Sequence, residues 1–258
     1  MDLKNKNVII TGGTHGIGET TAILFKELGA TILVIGRNEE EGNKIMKAKG
    51  EGTATFYKCD LTKRDETLKL CQFIDNSENP YNVLINCASR NSRYNVLNID
   101  ISEWENMLEL NLNSLLLLTK YFSRKLISKN VPGKIINVGA IQSITPLKSS
   151  FAYAAVKGAL RSITKSLAID LGEHNILCTL VMPGPIYAKT TNETPSKDLD
   201  LRAATVIGRM GRKIEVANLL KFLASDENTF MTGNEIIIDG GRLISRKPDP
   251  VEIDSGDL

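Results

Sequence analysis

The residue types that build metal and disulfide sites are scarce in this sequence of 258 residues. The histidines are only His15 and His174, and the four cysteines, Cys59, Cys71, Cys87 and Cys178, include no C-x-x-C pair. Metal ligation wants His or Cys at close spacing, so no metal site is expected, and scattered thiols of this kind suit a reducing compartment. Long apolar runs are missing too. No segment approaches the ~20 residues needed to cross a bilayer, and the apolar part of MDLKNKNVIITGG is too short for a secretion signal. A cytoplasmic protein that neither spans nor binds membrane is the expectation. An excess of charge is also lacking: 32 Lys and Arg stand against 30 Asp and Glu, without a polybasic stripe, which argues against a nucleic-acid partner. Trp104 is the one tryptophan, and the sparse aromatics give no sign of a pocket for a large aromatic substrate.

What the sequence has is a rhythm. Short β-branched runs, NVIIT (7–11), TILVIG (31–36), TATFYKC (53–59), NVLIN (82–86), KIINV (134–138), ILCTLV (176–181) and NEIIID (234–239), alternate with helical patterns. Continuous apolar strands joined by helical crossovers predict an α/β architecture: one doubly wound parallel sheet with helices on both faces, over residues 1–244. Ser102, with Glu105 three residues on, reads as the N-cap of a long helix running through WENMLELNLNSLLLLTKYFSRKLI. Two segments depart from the rhythm. The polar stretch 185–205 reads as a loop or lid over a site, and 245–258 as a polar C-terminal extension.

Ligands of such sheets bind beyond the carboxyl ends of the strands. TGGTHGIG (11–18) lies at such an end, between the first strand and the first helix. Gly12, Gly16 and Gly18 permit a tight turn and close approach of backbone to phosphate at a helix N-terminus, although their spacing is G-x-x-x-G-x-G rather than G-x-G-x-x-G. The second strand ends VIGRNEE. Gly36 stands where an acid for the ribose 2′-OH would be, and Arg37 follows, suited to a 2′-phosphate. NADP(H) is therefore expected over NAD(H), with His15 of the glycine loop near the same phosphate. The competing reading leaves Arg37 on the surface, quenched by Glu39, Glu40 or Glu41.

Tyr153 and Lys157 lie four residues apart in the first turns of a predicted helix and so share one face. A phenol with an ordinary pKa of ~10 is a poor base at neutral pH. A neighbouring ammonium and a cationic nicotinamide are expected to bring it toward the operating range.

Taken together, TGGTHGIG, Asp60 in CDLT, NCAS (86–89), Asn111 in NLNS, Y-x-x-x-K at Tyr153 and Lys157, PG at 183–184 and TGNEIIIDGG (232–241) resemble the short-chain dehydrogenase/reductase family over residues 5 to about 244. The resemblance implies a Rossmann-like domain, a nicotinamide dinucleotide and interconversion of alcohols and carbonyls, often in a homotetramer or dimer. It implies cofactor contacts at Gly12, Thr14, His15, Gly16, Ile17, Gly18, Arg37, Asp60, Leu61, Asn86, Ala88, Pro183, Gly184 and Ile186. Asp60 would meet the adenine amino group, Asn86 and Ala88 the adenosine ribose region, and Ile186 the carboxamide. Lys157 would hold the nicotinamide ribose, Tyr153 would exchange the proton, and Asn111 would hold a water on a path to Lys157.

One departure bears on catalysis. The family's usual serine, thirteen residues before the tyrosine, falls on Ala140. Losing such a donor costs about a hundred- to a thousandfold in rate. Ser143 is the first candidate to replace it, with Gln142 and Thr145 behind. Otherwise the site is attenuated and the fold serves dinucleotide binding with little turnover. Smaller departures are Ser89, where the family commonly has glycine, and Ala188, where threonine often meets the carboxamide, with Thr190 and Thr191 nearby. The expected activity is an NADP(H)-dependent oxidoreduction of a small polar carbonyl or alcohol, of sugar, polyol or 3-oxoacyl type.

Overall fold

A computed structural model describes residues 2–90, 93–187 and 204–246 of the chain. Most of the 185–205 stretch, including Ala188, Thr190 and Thr191, and nearly all of the 245–258 extension lie outside the described residues. The elements run β1 (Asn7–Thr11), α1 (Gly16–Glu27), β2 (Thr31–Gly36), α2 (Glu39–Lys47), β3 (Thr53–Lys58), α3 (Arg64–Asp75) and β4 (Val83–Asn86). There follow α4 (Ile101–Leu108), α5 (Ser114–Lys129), β5 (Gly133–Val138), α6 (Phe151–Gly172), β6 (Ile176–Pro183), β7 (Ile186–Tyr187), β8 (Gly211–Arg212), α7 (Lys213–Ala224) and β9 (Glu235–Ile238).

Seven strands form one sheet in the order β3-β2-β1-β4-β5-β6-β9, every neighbouring pair parallel. The strand alternation explains the two cores. Val8, Ile10, Ile32 and Val34 point to one face, where Ala22 and Phe25 of α1 and Val216 and Leu220 of α7 cover them. Ile9, Leu33, Ile35 and Leu84 point to the other, under Leu70 and Ile74 of α3 and Leu118, Phe122 and Leu126 of α5. Both faces being dry, the strands read as unbroken apolar runs. Strand order reverses between β1 and β4, and a crevice opens there at the carboxyl ends of the strands.

The predicted long helix after Ser102 differs in two ways. It begins two residues earlier, at Ile101, with the Asp100 carbonyl in extended backbone accepting from the Trp104 amide, so Ser102 is inside the helix and not its cap. It is also broken by a π-helical segment, Glu109–Asn113, between α4 and α5. A wide turn of this kind rotates the side chains that follow it, and here it carries the buried Asn111.

Candidate active site

The crevice is a cleft of about 760 Å³ that joins the glycine loop at one end to Tyr153 and Lys157 at the other. Its volume lies within the ~300–1,000 Å³ usual for cofactor and ligand sites. Between β1 and α1 the chain turns at Gly12, whose φ of 63° disfavours a side chain and whose Cβ would stand 2.7 Å from the Ala88 Cα. Gly16 opens α1 at φ 60° with no atom within 4 Å of a would-be Cβ, so its backbone faces open space at the helix N-terminus. That cradle fits a nucleotide pyrophosphate, whose charge the free N–H groups of the first turn attract. Thr14, His15 and Ile17 line the cleft, whereas Gly18 packs under the loop against Gly12. The loop's counterpart beyond β4 is clamped by Thr11, whose hydroxyl oxygen accepts from the Cys87 and Ala88 amides.

At the end of β2, a Cβ on Gly36 would lie 2.6 Å from the Thr14 hydroxyl oxygen, so no carboxylate-bearing residue fits there without displacing Thr14. Arg37 lines the cleft with its side chain 71% exposed. The three neighbouring glutamates do not quench it: Glu39 pairs with Lys58, and Glu40 and Glu41 pair with Lys44. The partner of Arg37 is Asp60, at 3.9 Å, and Leu61 lies beside it in the cleft wall. Burial alone would raise the Asp60 carboxyl, but the Thr62 hydroxyl and amide that donate to it, together with Arg37 and Lys63, hold it below the usual carboxylate range.

At the other end α6 presents Tyr153 and Lys157. The ammonium is buried, donates to the Val138 carbonyl at 2.9 Å and lies 5.7 Å from the Tyr153 ring centroid. Burial brings Lys157 down to about 8 and pushes the Tyr153 phenol up to about 12, the Cys87 thiol adding to the latter. The expected lowering of the phenol by the ammonium is therefore not what the protein itself produces, because loss of hydration at the phenolate dominates. Cys87 lines the same cleft and is itself pushed up by burial to about 11.

Behind the dyad, a cavity of about 10 Å³ is lined by Thr11, Asn86, Asn111, Ser114 and Lys157. That is the size of one water among polar partners. The π-helical turn delivers Asn111 to it. The Asn111 amide nitrogen donates to the Met107 carbonyl at 3.0 Å, and its oxygen accepts from the Ser89 hydroxyl at 2.9 Å. Ser89, noted in the sequence only as a departure from glycine, thus fixes Asn111. Asn86 opens on this small cavity rather than the large cleft. Its amide donates to Asn137 on β5, whose own amide donates to Thr164 of α6. Asn137 and Thr164 carried no local sequence signal, because their role lies in linking β4, β5 and α6.

Ser143 differs from its expected place. Residues Ile141–Ser143 form a single tight helical turn, and within it the Ser143 hydroxyl donates back to the Ala140 carbonyl at 2.7 Å, with Met182 Sδ at 3.3 Å. Ser143 and Thr145 do not line the cleft; Ala140, Gln142 and Leu147 do. The Gln142 carboxamide has no hydrogen-bond partner among the described residues. Pro183, Gly184 and Ile186 close the cleft beyond β6, and β7 pairs there with β8. Among the described residues there is no cluster of metal-ligating side chains and no helix long and apolar enough to cross a membrane.

Residues 12–242 match the protein family described as enoyl-(acyl carrier protein) reductase. The NADP-dependent (R)-specific alcohol dehydrogenase of Lentilactobacillus kefiri is 30% identical over 244 residues, covering 93% of this chain and 97% of that protein. The 3-oxoacyl-(acyl-carrier-protein) reductase of Thermotoga maritima is 31% identical over 247 residues, 95% of this chain and 100% of its own. Acetoin dehydrogenase from Enterobacter cloacae superposes with a TM-score of 0.84 at 28% identity, over 94% of this chain and 98% of that one.

Proposed function

We propose that this chain, which belongs to the short-chain dehydrogenase/reductase family, interconverts a carbonyl and a secondary alcohol on a small polar substrate, of sugar, polyol or 3-oxoacyl type, with NADP(H). Membership makes the chain an oxidoreductase of small molecules that uses a nicotinamide dinucleotide. The observation that carries the finer reading is the single cleft, with a phosphate cradle and Arg37 at one end and the Tyr153–Lys157 dyad at the other.

The dinucleotide, when bound, supplies or takes up a hydride. Gly12 through Ile17 would hold its pyrophosphate, Asp60 and Leu61 would flank its adenine, and Lys157, Pro183, Gly184 and Ile186 would hold its other end. NADP(H) is favoured over NAD(H) by an exposed Arg37 whose neighbouring glutamates pair elsewhere, and by the exclusion of a carboxylate at Gly36. The L. kefiri relative's name points the same way.

Tyr153 acts as proton donor to a carbonyl oxygen, and in the opposite direction as acceptor from an alcohol. A neutral phenol suits the donor role across the physiological range. Lys157, fastened to the Val138 carbonyl, orients its ammonium beside the phenol, and Asn111 with the one-water cavity links that ammonium to further proton exchange. With Ala140 in the usual serine position and the Ser143 hydrogen committed to Ala140, the second donor to the substrate oxygen is the Gln142 carboxamide. A homo-oligomer, tetramer or dimer, and a cytoplasmic setting belong to the same reading.

The test is NADPH-dependent reduction of a panel of small ketones by the wild type and Tyr153→Phe. A loss of at least about a hundredfold in kcat, with NADPH affinity retained, is expected. Undiminished turnover in the variant would remove Tyr153 from the chemistry.

A further inference from the structure

The charges around the cleft are unevenly paired. Its described walls carry four basic side chains, Arg37, Arg90, Arg93 and Lys157, and one carboxylate, Asp60. Three of the cations have partners: Arg37 faces Asp60, Arg90 is ion-paired with Glu103, and Lys157 donates to the Val138 carbonyl. Arg93 has no ion pair and no side-chain hydrogen bond among the described residues. Asp60, at the Arg37 end, leaves the Tyr153 end without a carboxylate among the described residues.

The backbone puts Arg93 at that end. Tyr94 forms a parallel bridge with Ser150, the residue immediately before α6. Arg93 therefore sits one residue from the bridge, and Tyr153 lies three residues beyond it, within the first turn of the helix. Arg93 is exposed at the rim of the cleft, and a guanidinium that borders a concave wall without a counter-ion raises the local potential where a substrate must lie. Guanidinium is also the side chain that matches carboxylate and phosphate oxygens in paired, parallel hydrogen bonds.

We propose that Arg93 is the specificity residue for an anionic substrate, one that carries a carboxylate or phosphate on the same small molecule as the carbonyl or alcohol acted on by Tyr153. This deepens the activity assigned above and rests on it. The anion binds Arg93 at the rim while the reacting oxygen reaches the phenol inside, so neutral ketones of the same size are handled less well.

The experiment compares wild type, Arg93→Gln and Arg93→Lys with NADPH on short oxo acids against their methyl esters, and on a ketose phosphate against the free ketose. The two anionic arms separate carboxylate from phosphate as the preferred group. In wild type, the preferred anionic compound should exceed its neutral counterpart by at least about tenfold in kcat/KM. Arg93→Gln should lower that preference by about 10- to 100-fold through KM, the range of one charge-assisted hydrogen bond, with kcat and the neutral compounds unchanged. Arg93→Lys should recover part of it. Direct calorimetric binding of the same compounds to NADPH-loaded Tyr153→Phe, with and without Arg93→Gln, gives a readout that needs no turnover. Equal handling of acid and ester, an equal effect of Arg93→Gln on both, or the absence of Arg93-dependent binding overturns the proposal. Full turnover by Tyr153→Phe overturns the parent activity instead, so the two failures are distinct.

Discussion

The Ser143 hydroxyl donates to the Ala140 carbonyl oxygen, 2.7 Å away, inside one turn of tight helix. The serine nearest to the missing catalytic position has thus spent its proton on the backbone of the residue it was expected to replace. Ser143→Ala should accordingly change kcat by no more than about threefold, since the lost contact is a local backbone bond. Ala140→Ser, which places a hydroxyl on the cleft wall, should raise kcat by about ten- to a thousandfold. Steady-state reduction kinetics decide both. A collapse of kcat in Ser143→Ala would return that residue to the chemistry.

Gln142 is the neutral side chain with an uncommitted donor on the wall beside Ala140. Gln142→Ala should lower kcat by about tenfold or more with little change in KM, the pattern of a contact made in the transition state. An effect confined to KM would assign Gln142 to substrate binding alone.

The proposed preference for NADP(H) rests on Arg37. Arg37→Gln should weaken NADPH by about 10- to 100-fold and leave NADH nearly unchanged, measured by fluorescence titration. Gly36→Asp should fail to produce a good NADH site by itself, because its Cβ meets Thr14. Equal losses for both nucleotides in Arg37→Gln would remove the 2′-phosphate from its role.

The phenol of Tyr153 is raised to about 12 by burial, so its protonated form persists well above neutrality. In the proposed mechanism the proton-donating form that serves reduction is present throughout the physiological range, and the base form that serves oxidation grows as pH rises. Ultraviolet difference titration of cofactor-free wild type against Tyr153→Phe should therefore show no phenolate from this residue below about pH 10, the ordinary tyrosine value. In kinetics, kcat/KM for alcohol oxidation should climb with pH while the reduction profile shows no fall due to Tyr153. A phenolate signal near neutrality would contradict the burial argument.

Phe122 of α5 is fully buried beneath the sheet face formed by Ile9, Leu33 and Leu84. Phe122→Ala should cost about 3–5 kcal/mol of stability, read by denaturant unfolding with cofactor absent. A loss below about 1 kcal/mol would mean that this face repacks freely.

Much of the fold was legible because it is local. Strand runs such as TILVIG and helices such as KIEVANLLKFLA appear in the structure within a residue or so of their sequence limits. The π-helical turn at Glu109–Asn113 was not legible, since the apolar pattern through ELNLNSLLLL continues across it. Ser102 was misread for a related reason: a capping pattern is a local preference, and the packing of Trp104 and Met107 against α6 moved the boundary.

The sequence by itself determined the parallel sheet, the glycine loop at its switch point and the shared face of Tyr153 and Lys157. These follow from side-chain sterics and from periods of 2 and 3.6 residues, which act between near neighbours. Tertiary structure decided the rest: Ser143 bonded to its own turn, Ser89 holding Asn111 from 22 residues away, Thr14 filling the space above Gly36, and Arg93 brought to the start of α6 by the Tyr94–Ser150 bridge. Which partner satisfies a buried polar group depends on segments distant in the chain meeting in space, and no local pattern of residues records that meeting.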